Sequence, residues 1–243
     1  MPDPPGALLL DIEGTTTPAD FVTRVLFPYA REHVRDFLIR RASEVRDDLA
    51  LLYSEHQADE RAGSSPPPWR DGSPAESLGS AVAYVQWLMD RDRKSTALKA
   101  LQGRIWDEGY RAGQLRGQVY PDVPRAFARW RAQGRDVAIF SSGSVLAQKL
   151  LFSRSEAGDL TPFLRAYFDT TTGAKADAES YRKITRALGQ EPPAVLFLSD
   201  VTAELDAARA AGMATGLCVR EPGVWGVRSP EHPMVRSFDE VLA

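Results

Sequence analysis

Six residues of this chain have types and spacing that could do chemistry together: Asp11, Glu13, Ser141, Ser142, Lys175 and Asp200. The first two lie in LLLDIEGTTT, residues 8–17, where three leucines run into one acid, a second acid follows two positions on, and glycine and threonines end the run. A carboxylate can be the covalent nucleophile of phosphoryl transfer, forming an aspartyl phosphate and splitting one hard displacement into two easier ones. Asp11 fits that role. Its charge repels a phosphate dianion, so the site needs cations. Asp11 and Asp200 offer oxygens suited to Mg2+, a hard ion that takes one or two carboxylates together with waters and substrate oxygens. Lys175 adds a fixed positive charge for the phosphoryl oxygens. Ser141, followed by Ser142 and Gly143 where a helix is expected to start, offers hydroxyl and backbone N–H donors at a point where the helix dipole also favours an anion. Glu13 can protonate the leaving oxygen and then deprotonate the attacking water. Each residue alone has a plainer reading. Asp11 could cap a turn, Glu13 could be a solvated loop acid, and the serine pair could be a helix N-cap. Lys175 could be a solvated charge, and Asp200 could cap the next helix, with Glu204 and Asp206 as first-turn acids.

The elements expected around these residues favour the joint reading. The run ending at Asp11 reads as a buried parallel strand, and in open doubly wound sheets ligands bind beyond the carboxyl ends of the strands. Glu13 faces the same crevice if the chain stays extended. Further strands are expected at Asp136–Phe140, which leads into SSGS, at AYFDTT (166–171), at AVLFLSD ending in Asp200, and at ATGLCV. Between them lie amphipathic helices at Val123–Ala132, Val145–Phe152 and Ser180–Leu188, with a fourth before ATGLCV. This alternation predicts an α/β fold with a doubly wound, mostly parallel sheet. The acid, the serine pair, the lysine and the last acid each fall at or just past a strand end, so four polar groups converge on one crevice.

About ninety residues that read as helix or loop separate the first strand from the next, although a crossover needs only one helix. Apolar spacing predicts a helix from Ala19 to about Arg41, kinked or split in two at Pro28, then a second through Leu49, Leu51 and Leu52. The Pro-, Gly- and Ser-rich stretch 62–74 reads as an exposed, mobile loop. Helices follow at Ala81–Met89 and from Thr96 to Tyr110, the last with Ser95 as N-cap. The expected organisation is therefore core at 1–18, an inserted all-helical cap at 19–115, and core again at 116–243. The tail should end in a short amphipathic turn around Phe238, Val241 and Leu242.

Bulk properties narrow the classes. With 243 residues, 43% of them hydrophobic and 26% charged, the chain can bury a sizeable core. Its 30 basic and 33 acidic residues nearly cancel, leaving a formal charge of −3 and no basic excess for a nucleic-acid partner. No stretch reaches the ~18 apolar residues of a membrane span, so no membrane partner is expected. The single cysteine, Cys218, lies in an apolar run and fits a reducing, cytoplasmic location. His33, His56 and His232 have no ligand spacing and are assigned to no metal. Nothing resembling a heptad repeat forces assembly, so a monomer is expected.

The order of these motifs resembles that of the haloacid dehalogenase superfamily of aspartate-nucleophile phosphatases, with a helical cap between the first and second motifs. More narrowly, DIEGTTTP paired with SSGSVLAQKLLF, together with YFDTTTGAKADAESYRKI and LFLSDVTAE, resembles the enolase-phosphatase (acireductone synthase) family. The resemblance runs from about Leu8 to Glu204 and weakens in the 62–74 loop and after Glu221. It implies that Asp11, the backbone carbonyl of Glu13, and Asp200 bind one Mg2+ per subunit. It also implies that Ser141, Ser142 and Lys175 hold the phosphate, that Asp11 is the nucleophile and that Glu13 is the acid/base. The implied substrate is a small phosphate ester, 2,3-diketo-5-methylthiopentyl-1-phosphate, which is enolised and dephosphorylated to an acireductone in methionine salvage. The superfamily usually carries aspartate at the position of Glu13, and the longer acid sets its carboxyl further out. A general sugar-phosphate phosphatase would use the same core residues. A haloacid dehalogenase would use Asp11 without Mg2+, and a phospho-receiver module would have no need of a helical cap.

Overall fold

The computed structural model describes residues 5–91, 93, 95–220 and 231–243. Backbone contacts divide the chain into two compact units, Val22–Leu115 and the combination of Met1–Phe21 with Arg116–Ala243. The first unit is helical. A π-helical turn, Val22–Leu26, runs directly into α1, Phe27–Arg41. Pro28, which cannot donate to the turn before it, falls just past the point where the π-helical turn gives way to α1. The helix expected from Ala19 is thus two pieces starting at Val22, and the buried Trp106 indole N–H fastens their junction by donating to the Leu26 carbonyl at 2.8 Å. Helices α2 (Arg46–Arg61), α3 (Pro74–Asp90) and α4 (Thr96–Arg111) complete the unit. Helix α3 begins well before the expected Ala81 because Ser73 caps it, its hydroxyl accepting from the Glu76 N–H at 3.2 Å and donating to the Glu76 carboxylate at 3.0 Å. Ser95 caps α4 as expected, its hydroxyl accepting from the Leu98 N–H at 2.9 Å. The 62–74 stretch is irregular up to that cap, but it is anchored to the helices. The His56 Nε2 donates to the Pro67 carbonyl at 2.7 Å, and the Trp69 ring lies 5.1 Å from Tyr53 and 5.2 Å from His56. Aromatic packing supplies the order that its prolines deny to regular structure.

The second unit is built on one six-stranded sheet. Its strands are β1 (Ala7–Leu10), β2 (Asp136–Phe140), β3 (Ala166–Phe168), β4 (Val195–Ser199), β5 (Ala214–Cys218) and β6 (Met234–Val235). They lie in the order β3-β2-β1-β4-β5-β6, and every pairing is parallel. Helices α5 (Val123–Ala132), α6 (Val145–Ser153), α7 (Ala178–Leu188) and α8 (Thr202–Ala210) alternate with the strands. The expected α/β doubly wound fold is therefore present. Central β1 shows why its sequence is continuously apolar: Leu8, Leu9 and Leu10 are all fully buried, since both faces of the strand are covered. One core cluster joins Leu9, Phe140, Phe197 and Leu217 of the sheet to Tyr181, Ile184 and Leu205 of α7 and α8.

Three local expectations change. Strand β3 stops at Phe168 rather than running to 171, because the Asp169 carboxylate folds the chain into a turn. It accepts from the Thr171 N–H at 2.9 Å and from the Thr171 hydroxyl at 2.6 Å. Helix α7 starts at Ala178 rather than Ser180, with Asp177 as N-cap accepting from the Glu179 N–H at 3.0 Å. The tail adds the short strand β6 before its expected final turn, Phe238–Glu240. No helix among the described residues is long and apolar enough to cross a membrane.

Candidate active site

The strand register places the functional residues at one level. Leu10 is opposite Ile139 on β2 and Leu198 on β4, and Phe140 is opposite Phe168 on β3. Asp11, Ser141 and Asp200 therefore each leave the sheet at its carboxyl edge, on three adjacent strands. Lys175 comes from the loop after β3. Its ammonium lies 2.5 Å from Asp11 Oδ1 and 2.7 Å from Glu204 Oε2. Burial works against the charged lysine, but the two carboxylates outweigh that and hold its pKa above the ordinary value.

The lysine is held by its own backbone. Tyr181 donates its hydroxyl to the Lys175 carbonyl at 2.7 Å, and Ser180 donates to the Ala174 carbonyl at 2.7 Å, so the first turns of α7 fix the loop. Gly173 is needed beside them, since at φ +149° a Cβ would fall 2.2 Å from Ser180 Oγ. Glu204, in the first turn of α8, also accepts from the buried Ser199 hydroxyl at 3.0 Å. The plainer reading of Glu204 as an acid complementing the helix dipole is incomplete: it is the second carboxylate on Lys175. The signal in sequence was its place one helical turn after Asp200.

The loop after Asp11 does not stay extended. The N–H groups of Thr15, Thr16 and Thr17 all converge on the Ile12 carbonyl, at 3.2, 2.9 and 2.9 Å, and the Gly14 N–H closes the turn on the Thr17 carbonyl at 2.8 Å. Glu13 is thus carried exposed on a tight turn instead of continuing the strand. Gly14 makes the turn possible. It has φ +67°, and a Cβ there would lie 2.1 Å from Asp200 Oδ2, so the missing side chain is the space that the Asp200 carboxylate fills. Loss of hydration, and then the negative charge of Asp11, push the Asp200 carboxyl up to about 6. Burial and the Asp11 charge likewise raise Glu204.

Ser141 is buried at the end of β2 and its hydroxyl accepts from the Gly143 N–H at 3.2 Å. It is not the helix cap. Ser144 takes that place, its hydroxyl accepting from the Ala147 N–H at 3.3 Å, which leaves Ser141 and the exposed Ser142 just outside the N-terminus of α6. Gln148 secures this loop by donating to the Gly143 carbonyl at 2.9 Å and to the Phe168 carbonyl at 2.8 Å. The structure thus puts Lys175 on Asp11, seats Asp200 against the turn that carries Glu13, and sets the serine pair at the neighbouring strand end. His232, assigned no metal, hydrogen-bonds Thr215 Oγ1 at 2.7 Å and Asp206 at 3.1 Å, and Arg209 pairs with nearby Glu231. Cys218 is a buried free thiol, pushed up to about 12 by loss of hydration.

Comparison with known proteins gives a consistent picture. The family model described as haloacid dehalogenase-like hydrolase matches residues 5–212. The chain is 53% identical over 236 residues to an enolase-phosphatase E1 of Synechococcus elongatus, covering 96% of each chain. It is 46% identical to one from Pseudomonas aeruginosa, covering 97% of each. Among solved structures it is similar to the UTR4 protein of Saccharomyces cerevisiae, with a TM-score of 0.78, 33% identity, and coverage of 98% of this chain and 100% of that one. A dehalogenase structure at TM-score 0.54 and 19% identity shares the fold.

Proposed function

The chain belongs to the haloacid dehalogenase-like hydrolases and, within them, to the enolase-phosphatase E1 family, and from that premise we propose how its residues act on their substrate. It is a phosphatase with enolase activity, an acireductone synthase. It enolises and dephosphorylates 2,3-diketo-5-methylthiopentyl-1-phosphate, a small phosphate ester. The observation that carries this reading is identity at half of all positions over nearly the whole length of an enolase-phosphatase. Helices α1–α4 form the inserted cap, and the sheet-bearing unit is the core. A monomer in the cytoplasm is part of the same proposal.

Asp11 attacks the phosphorus, and the phosphoryl group passes to its carboxylate while the ester oxygen departs. Glu13 gives that oxygen its proton, then takes one from the water that hydrolyses the aspartyl phosphate. Lys175, already 2.5 Å from Asp11, holds the nucleophile and neutralises the transferring phosphoryl oxygens, and Glu204 keeps its ammonium charged and aimed. Ser141, Ser142 and the N–H groups at the start of α6 bind the remaining oxygens.

The donor set suits Mg2+. Asp11 and Asp200 are hard oxygen donors, and Gly14 leaves the space that lets the Asp200 carboxylate in. Asp11, the Glu13 carbonyl and Asp200 would hold one ion, which when bound lowers the repulsion between nucleophile and phosphate and stabilises enolate charge. The test is phosphate release from the diketone beside a panel of common phosphate monoesters, with Mg2+ and with chelator, while acireductone absorbance is followed. Mg2+-dependent release with acireductone appearing is expected. Release from the common esters with no acireductone from the diketone would move the specificity to a general sugar-phosphate phosphatase.

A further inference from the structure

We propose that Arg220 is a positioning residue for Glu13, holding the turn that carries the acid/base through the carbonyl of Thr15. This rests on the assignment of Glu13 as acid/base given above. The N–H groups of Thr15, Thr16 and Thr17 close on the Ile12 carbonyl and that of Gly14 on Thr17, but two carbonyls of the turn are held from outside it. Arg220 Nε donates to the Thr15 carbonyl at 2.9 Å, and the Tyr120 N–H donates to the Thr16 carbonyl at 3.0 Å. The same guanidinium pairs with Asp122 at 2.6 Å and donates to the Arg236 carbonyl at 3.3 Å. It lies between two rings, its carbon 4.7 Å from the Tyr120 centroid and 4.2 Å from that of Phe238. Asp122 in turn accepts from the Phe238 N–H at 2.5 Å and from the Ser237 hydroxyl at 3.1 Å.

Only 4% of the Arg220 side chain is exposed. An ion pair that deep is poor stabilisation for its desolvation cost, and packed apolar residues commonly do as well. What an apolar replacement cannot do is donate to a loop carbonyl. Glu13 is exposed, so the backbone of its turn decides where its carboxyl can reach. The planar guanidinium reaches Thr15 and Asp122 at once while stacking on two rings; an ammonium at that position can keep the charge but not the whole set.

The test separates proton donation from everything else by the leaving group. An alkyl phosphate needs a proton on its departing oxygen, whereas p-nitrophenyl phosphate loses a stable phenolate without one. Since kcat/KM covers steps only as far as departure of the leaving group, the later hydrolysis does not obscure the comparison. Arg220→Lys, which keeps a cation beside Asp122, should lower kcat/KM for a simple alkyl phosphate that needs no enolisation about tenfold or more while changing that for p-nitrophenyl phosphate by less than about threefold. Glu13→Gln should show the same selectivity, more strongly. Equal falls on both substrates in Arg220→Lys at saturating Mg2+, or no fall, would overturn the proposal. If Glu13→Gln itself lacked the selectivity, the acid/base assignment would fail instead. Should Arg220→Lys not fold, Asp122→Asn, which loosens the guanidinium, is read in its place by the same two outcomes.

Discussion

The two units of the chain differ in where they close off both partners of an ion pair, which among the described residues happens only in the sheet-bearing unit. In the sheet-bearing unit the key ion pairs are buried: the Lys175 side chain is 11% exposed against Asp11 at 7%, and Arg220 and Asp122 are closed off together. In the helical unit many pairs lie on the surface, as with Arg31 and Asp90 at 46% and 54%, and with Arg41 and Glu44, and its two most buried acids, Asp59 at 8% and Asp48 at 14%, pair with arginines that are about half exposed. Its interior is instead aromatic, with Tyr84, Trp87, His56 and Trp69 packed ring against ring. Exposed pairs are screened and contribute little, so they decorate a fold that apolar packing already holds. Buried charges cost desolvation wherever they occur, and their concentration at the sheet edge is consistent with the chemistry proposed there.

The contrast can be broken at several points, and the largest effect is expected at Asp11. Asp11→Asn keeps the shape of the side chain but removes the nucleophile, and turnover should fall by about 10^4-fold or more with the fold intact by circular dichroism. Gly14→Ala comes next. It forces a Cβ into the Asp200 carboxylate and into a left-handed backbone conformation, costing about 1–2 kcal/mol of stability by thermal melting. Activity should fall further, about 100-fold, because Asp200 and the Glu13 turn both shift.

A smaller effect should appear in acid. Burial alone would raise the Asp122 carboxyl, but hydrogen bonds from Arg220, Phe238 and Ser237 and the Arg220 charge outweigh it and hold the pKa below the ordinary value. A depressed carboxylate stabilises the fold above its unfolded pKa, and that contribution disappears as the pH falls through the folded one. Stability measured by urea unfolding should therefore drop below about pH 4, and Asp122→Asn should flatten that limb while lowering the neutral plateau. The smallest effect belongs to the helical unit. A double-mutant cycle on Arg31 and Asp90 should return less than about 1 kcal/mol, shrinking in salt. A coupling as large as that expected of a buried pair would erase the distinction between the units.

Much of the sheet was legible because strands covered on both faces leave unbroken apolar runs, and the abrupt acid or serine after each run marks the carboxyl edge. Asp11, Ser141 and Asp200 could be placed at that edge in this way. The Glu13 turn was not, since an extended continuation and a turn closed on the Ile12 carbonyl begin with the same residues. Only Gly14 hints at the difference. Glu204 could be seen as a helix-start acid but not as the partner of Lys175, because that pairing forms between loops brought together by the sheet. The Arg220–Asp122 pair spans 98 positions and leaves no periodic trace at all. Strand β6, two residues long, is too short for any alternation to show.

The most direct test of the assignment to Asp11 is to trap the covalent intermediate. Enzyme mixed with substrate and Mg2+ is quenched in acid within the first turnover, digested, and mapped by mass spectrometry. A phosphoryl group is expected on the peptide containing Asp11 in the natural chain and none in Asp11→Asn. A phosphoryl group on another residue, or one that persists in Asp11→Asn, would contradict it.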